Sequence, residues 1–191
     1  MSWDCILLVA TDQVSLSLRR YADAPCLVKP HGMSMHDART FIGTAPIVIS
    51  ARETWDVEVA QPAHTDPRWP TQCGCGYVFQ EGDTWQLSKN RLYVPQDTGD
   101  LLTLHDVEPG MMWETPWFAD EWHGADGRCF TMALPGHGEW TIDGPASNGS
   151  GWTRTGEPPK ITARPSIASK NYHGWLTDGV LSDDLEGRTY E

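Results

Sequence analysis

Positive charge is scarce in this chain. Lys and Arg number 14 against 26 Asp and Glu over 191 residues, a formal net charge of −12. The longest basic run is Arg19-Arg20. Phosphate neutralisation needs clustered cations, so no nucleic-acid partner is expected. Long apolar runs are also missing. Cys5–Ala10 is a run of only six residues. Nothing approaches the roughly 20 residues of a membrane-spanning helix, so no membrane association is expected. Met1 leads into Ser-Trp-Asp without the basic region of a secretory signal, and a soluble cytosolic product with reduced thiols is the expectation. Three catalytic signatures are absent: Gly-x-Ser-x-Gly, a phosphate-binding glycine loop and His-Glu-x-x-His. There is no internal repeat and no low-complexity segment.

Tryptophan, glycine and proline are plentiful. The chain has 10 Trp, 18 Gly and 14 Pro. Short strands joined by tight turns use residues in this way. Asp4–Ala10 reads as a buried strand, and Val14–Leu18 alternates apolar with polar. Ile47–Ile49 reads as a second buried strand, and Trp55, Val57 and Val59 as a half-exposed one. Three hairpins are expected around Asp97–Asp100, Pro135–Gly138 and Thr177–Gly179, where Asp178-Gly179 suits a two-residue turn. Ser34 followed by Met35–Ile42 and Gly43 predicts one short helix. Gly110–Phe118 reads as a helical turn or apolar loop. Asp143–Lys160 lacks apolar periodicity and reads as a long surface loop. The expected fold is mainly β, with antiparallel hairpins in one compact domain, a short helix and a zinc-knuckle-like turn. A single domain over 1–191 is expected, with sub-regions 1–60 (strands and short helix) and 61–191 (zinc turn and hairpins).

The five cysteines divide by context. Cys5 and Cys129 lie in apolar runs and read as buried small hydrophobes. Cys73 and Cys75 flank Gly74 on a glycine-rich turn, in the stretch His64-Thr-Asp-Pro-Arg-Trp-Pro-Thr-Gln-Cys73-Gly-Cys75-Gly-Tyr77. Two thiolates and an imidazole suit a tetrahedral zinc ion, so Zn2+ is the expected cofactor. The candidate ligands are Cys73, Cys75 and His64. Asp66, His105 and His173 are alternatives for the remaining position. A closed structural site is expected over an open catalytic one. In the alternative, both cysteines are loop thiols with no ion.

Acid–base candidates are His105-Asp106, Trp122-His123 and His123-Gly-Ala-Asp126. Each histidine alone reads more readily as a surface or structural residue. Asn148-Gly-Ser150 has the form of a glycosylation sequon, which means nothing without a secretory route. Trp113, Trp117 and Trp122 are spaced too loosely for one clean face. Core packing is the default for them, although an exposed aromatic patch would suit a protein or a sugar.

An ordered series of motifs carries a resemblance. It comprises Trp140-Thr-Ile-Asp-Gly-Pro-Ala-Ser-Asn148, Gly156-Glu-Pro-Pro159, Ile161–Ile167 with its Arg-Pro-Ser-Ile, and Tyr172-His-Gly-Trp-Leu-Thr-Asp-Gly-Val-Leu181. Pro-Arg-Trp-Pro, Cys-Gly-Tyr-x-Phe and Pro-Gly-Met-Met-Trp extend it upstream. Across roughly residues 60–181 the chain resembles hypothetical proteins of actinobacterial phages and prophages. It is more faintly similar to a small phage family mislabelled as ammonia monooxygenase. Neither resemblance implies an activity. Both imply a cysteine turn with two intervening residues, often with a histidine where this chain has Asp66. The turn is shorter here, and either His64 substitutes by sliding two positions or the site is degraded. The fainter relatives often have a cysteine before the histidine matching His173, where this chain has Tyr172.

The resulting expectation is a phage-encoded protein-binding or virion-associated protein with a structural zinc site. Its partner would be a virion or host protein, and its place the host cytoplasm or the virion. The alternative is a metal-dependent hydrolase or transferase built on His123, Asp126 and the Asp143–Lys160 segment. A binding module should show a flat Trp-bearing face and a closed metal site. An enzyme should show a deep cleft with convergent polar groups and strained pKa values, and a pocket joining His123, Asp126 and that segment counts against the binding reading.

Overall fold

Period-two alternation governs most of this chain. A computed structural model describes residues 1–26, 35–49, 55–136, 138–145, 151–169 and 172–183. The strands are β1 (Ser2–Asp4), β2 (Ile6–Ala22), β3 (His36–Pro46), β4 (Val48–Ile49), β5 (Trp55–Asp56), β6 (Thr84–Pro95), β7 (Met111–Glu114), β8 (Phe130–Leu134), β9 (Gly138–Thr141), β10 (Thr153–Glu157), β11 (Lys160–Ser169), β12 (Tyr172–Thr177) and β13 (Val180–Asp183). Helix among the described residues is limited to a 3-10 turn at Asp120–Trp122. The fold is therefore mainly β, as expected. No helix among these residues is long and apolar enough to cross a membrane.

The chain divides into two compact units. One joins Met1–Ala10 to Tyr93–Glu191, and the other is Thr11–Leu92. The expected sub-region boundary near residue 60 falls inside the second of these.

The first unit packs one sheet on another. One sheet has the order β1-β13-β12-β11-β10, antiparallel throughout. In the other, Ile6–Leu8 of β2 pairs parallel with β7, and β7, β8 and β9 follow antiparallel. Inward side chains of both sheets meet in one core. Met112, Phe130, Met132 and Trp140 come from the second sheet, and Ile161, Ile167, Leu176 and Leu181 from the first. Burying each such side chain contributes roughly 1.5–3 kcal/mol, which drives the sheets together. The Thr177–Gly179 hairpin forms as its sequence predicts, with φ of 46° at Asp178 and 74° at Gly179. Cys5 and Cys129 are buried and free. Burial pushes the Cys5 thiol up to about 12 and raises that of Cys129.

The second unit is built on a long β2–β3 pairing, from Gln13↔Pro46 to Ala22↔His36. Val14, Leu16 and Leu18 point inward from β2 and pack with Val57, Trp69 and Leu87.

Several expectations fail. Ile47–Ile49, read as a buried strand, forms only the two-residue β4, and Val48 is exposed. The predicted helix over Met35–Ile42 is strand β3, while its capping Ser34 lies outside the described residues. Helical spacing would bury Phe41, which instead is 63% exposed. Cross-strand hydrogen bonds to β2 override the weak local signal. Gly43, read as a helix stop, sits at φ 135° beside a bulge that leaves Ile42 unpaired between Leu16↔Gly43 and Ser17↔Phe41. Gly110–Phe118 holds β7, an interior strand whose Met112 and Trp113 are fully buried. Asp143–Lys160 is not one loop, because Thr153–Glu157 forms a hairpin with β11. Asn148 lies outside the described residues.

Candidate metal centre and ligand cavity

The cysteine turn is a tight hairpin in the second unit. Cys73 N–H donates to the Tyr77 carbonyl at 2.8 Å, Gly76 N–H to that of Cys73 at 2.9 Å, and Phe79 N–H to that of Thr71 at 3.0 Å. Gly76 takes φ 96°, which a glycine adopts at little cost. One missing residue relative to Cys-x-x-Cys therefore does not prevent the turn from closing.

Cys73 and Cys75 meet two further donors there, Cys26 and His36. The four ligand atoms all lie within 4.8 Å of one another. His36 Nδ1 is 3.1 Å from Cys75 Sγ, and Cys26 Sγ is 4.0 Å from Cys73 Sγ. Zinc–sulfur bonds of about 2.3 Å at tetrahedral angles put neighbouring ligands ~3.7 Å apart, so the cluster can hold a metal ion of that size. Three thiols and an imidazole are a donor set that suits zinc. Cys26 follows the end of β2 and His36 begins β3. A metal held here would tie both ends of that connection to the cysteine hairpin.

The surroundings hold the donors in place. The Tyr77 ring stacks on His36 at 4.1 Å and 5°. Its hydroxyl donates to Asp83 Oδ2 at 3.3 Å, and that oxygen also accepts from Gln80 N–H at 2.6 Å. Arg20 is 5% exposed and lies over the rings of Trp85 and Phe79. Its guanidinium donates to the carbonyls of Pro70 and Gln80, one on each side of the hairpin. Burial pushes the Cys73 thiol up, but backbone hydrogen bonding at Cys75 and Asp37 and side-chain hydrogen bonding at His36 and Cys75 outweigh it and hold it at about 7. A thiol near neutrality readily supplies the thiolate that binds metal.

The other sequence candidates lie outside this cluster. His64 stacks on Trp85 at 4.5 Å and meets the edge of Trp69. Asp66 pairs with Arg68 at 2.7 Å, and the Arg68 guanidinium holds its carboxyl at about 2. His105 and His173 belong to the other unit. Sequence reasoning missed Cys26 and His36. Cysteine context held the signal, since removing the two thiols in apolar runs leaves Cys26, Cys73 and Cys75 as a set of three.

The first unit carries a different feature. A cavity of about 480 Å3 is lined by His123–Asp126, Asp143 and Trp152–Glu157. It joins the residues named for the enzyme alternative. Two of its carboxylates, Asp126 and Asp143, are already engaged. Arg154 donates from Nε to Asp143 Oδ1 and from Nη2 to Asp126 Oδ1, both at 2.7 Å. Asp143 Oδ2 accepts from Phe130 N–H at 3.2 Å. The Arg154 hydrogen bond lowers the Asp126 carboxyl below its usual range. A general acid or base works best with a pKa near the working pH, and Asp126 is moved the other way. None of these residues belongs to the metal cluster. Trp117 is 57% exposed nearby in sequence, beside half-buried Phe118 and Trp122.

No family model matches the chain, and searches of curated proteins and of solved structures return no significant match.

Proposed function

We propose that this chain is a zinc-stapled binding protein. The observation that carries this reading is the closed donor set of Cys26, His36, Cys73 and Cys75. Four protein ligands complete a tetrahedral shell and leave no position for water or substrate, the pattern of structural zinc. Zinc would stabilise the second unit by joining segments far apart in sequence. A metal-dependent hydrolase or transferase needs an open metal position among its catalytic residues. The cavity residues His123 and Asp126 supply no ligand to the cluster, which counts against that alternative. The cavity does join His123, Asp126 and the Trp152–Glu157 run, as the enzyme alternative requires, but Arg154 already holds Asp126 and Asp143 in ion pairs, which favours ligand binding over proton transfer there. The resemblance to actinobacterial phage proteins and the net charge of −12 support a basic protein partner, in the virion or in the host cytoplasm.

Zinc content tests the reading. Protein purified without added metal should carry about one equivalent, and Cys26→Ser or His36→Ala should lose it while His64→Ala keeps it. Less than about a tenth of an equivalent in the unaltered protein, with Cys73 and Cys75 freely reactive, would overturn it.

A further inference from the structure

We infer that β10 is a docking edge for an extended, basic segment of a partner protein, which enters the cavity between β10 and the His123–Asp126 turn. This names the site and partner chemistry of the binding role proposed above and rests on that reading.

Sheet order is the first support. β10 ends its sheet, with β11 on one side only. Among the described residues no backbone hydrogen bond joins Thr153–Glu157 to any other strand. In an antiparallel pair alternate residues turn their N–H and C=O away from the partner strand. An edge strand therefore presents a template for one more strand. The cavity is the second support. Its lining includes the consecutive run Trp152–Glu157, so it follows the strand rather than a single side chain. Its volume of about 480 Å3 lies within the ~300–1,000 Å3 typical of ligand sites.

Charge identifies the occupant. Three carboxylates, Asp126, Asp143 and Glu157, line the cavity with one guanidinium, that of Arg154. Arg154 is shared between two carboxylates and is only 7% exposed, so it has little capacity left for an anion. Glu157 is exposed and makes no ion pair among the described residues. The uncompensated charge is negative, which suits Lys or Arg side chains. Arg154 also bridges β10 to the opposite side of the slot, which pre-forms the site. Main-chain pairing would supply affinity, and carboxylates beside alternate side chains would supply selectivity.

The test uses the full-length, zinc-loaded, 15N-labelled chain and the capped peptide Thr-Lys-Val-Lys-Thr. Saturable shifts should appear at the amides of Thr153–Glu157 and His123–Asp126 at about 1 mM peptide or below. Glu157→Lys, an exposed site, should weaken binding at least about fivefold. A peptide with Glu replacing both Lys should not bind. N-methylation of the peptide's central valine, which removes a strand-pairing donor, should abolish binding. Any of four results would overturn the inference: no saturable shift, equal binding of the acidic peptide, shifts confined to other residues, or β10 shifts that track protein dilution because a second copy occupies the edge. Failure here with about one equivalent of zinc present would remove the docking edge and leave the zinc staple standing. Loss of the zinc would remove the staple whatever the peptide does.

Discussion

The two units hold themselves together by different means. In the first, a large apolar core includes Met112, Phe130, Met132, Ile142, Ile161, Ile167, Leu176 and Leu181, all fully buried, and a smaller cluster forms around Leu8, Tyr93, Trp113 and Ala133. In the second, the buried side chains fall into two groups. One lies around Val14, Leu16 and Leu18, and a small one around Ala22, Cys73 and Phe79 contains part of the metal cluster. Where apolar burial is plentiful, sheet packing suffices. Where it is thin, the Arg20 guanidinium clamps the cysteine hairpin, and the cluster of Cys26, His36, Cys73 and Cys75 could hold a metal ion that adds to the joining.

Stripping metal should give the largest break in this comparison. With a zinc chelator, amides of β3 and of the Thr71–Phe79 hairpin should lose hydrogen-exchange protection while β8, β11 and β12 keep theirs. The loss should exceed about 3 kcal/mol locally, because structural zinc contributes folding free energy directly. Equal loss in both units would break the distinction. Leu176→Ala should cost about 2–5 kcal/mol through the cavity it leaves, with zinc content unchanged. Arg20→Met removes the clamp on the cysteine hairpin and should cost about 1.5–3 kcal/mol. Its zinc should also exchange faster, as read by a colorimetric chelator.

The smallest effect should be a pH dependence in the first unit. Arg154 lowers the Asp126 carboxyl in the folded chain. Its contribution is therefore present above the unfolded value of about 3.9 and is lost as pH falls through the lower folded value. Asp126→Asn should reduce stability near neutrality by no more than about 1 kcal/mol, since the pair is partly exposed. The two proteins should converge in strong acid, as followed by urea unfolding across pH.

Local features were legible in the sequence and non-local ones were not. Thr177–Gly179 declared its hairpin because Asp-Gly takes the positive φ such turns need. Cys73 and Cys75 suggested a metal turn because both thiols sit on it, and both fall in the cluster that could hold an ion. Cys26 lies 47 residues before Cys73, and His36 lies 39 before Cys75. No short window contains both halves. Reading Met35–Ile42 as helix also hid His36, since the β2 pairing that turns it toward the cysteines is a tertiary contact. The β7 strand escaped notice for the same reason. A four-residue strand, three of whose residues pair in parallel with Ile6–Leu8, leaves no local period to detect. At β10, apolar alternation was missing because the strand lies exposed at a sheet edge.

X-ray absorption at the zinc edge of the purified chain tests the central claim most directly. Three sulfur scatterers at about 2.3 Å and one nitrogen at ~2.0–2.1 Å are expected, with one sulfur lost in Cys26→Ser. A shell dominated by nitrogen and oxygen, or one unaltered by Cys26→Ser, would contradict it.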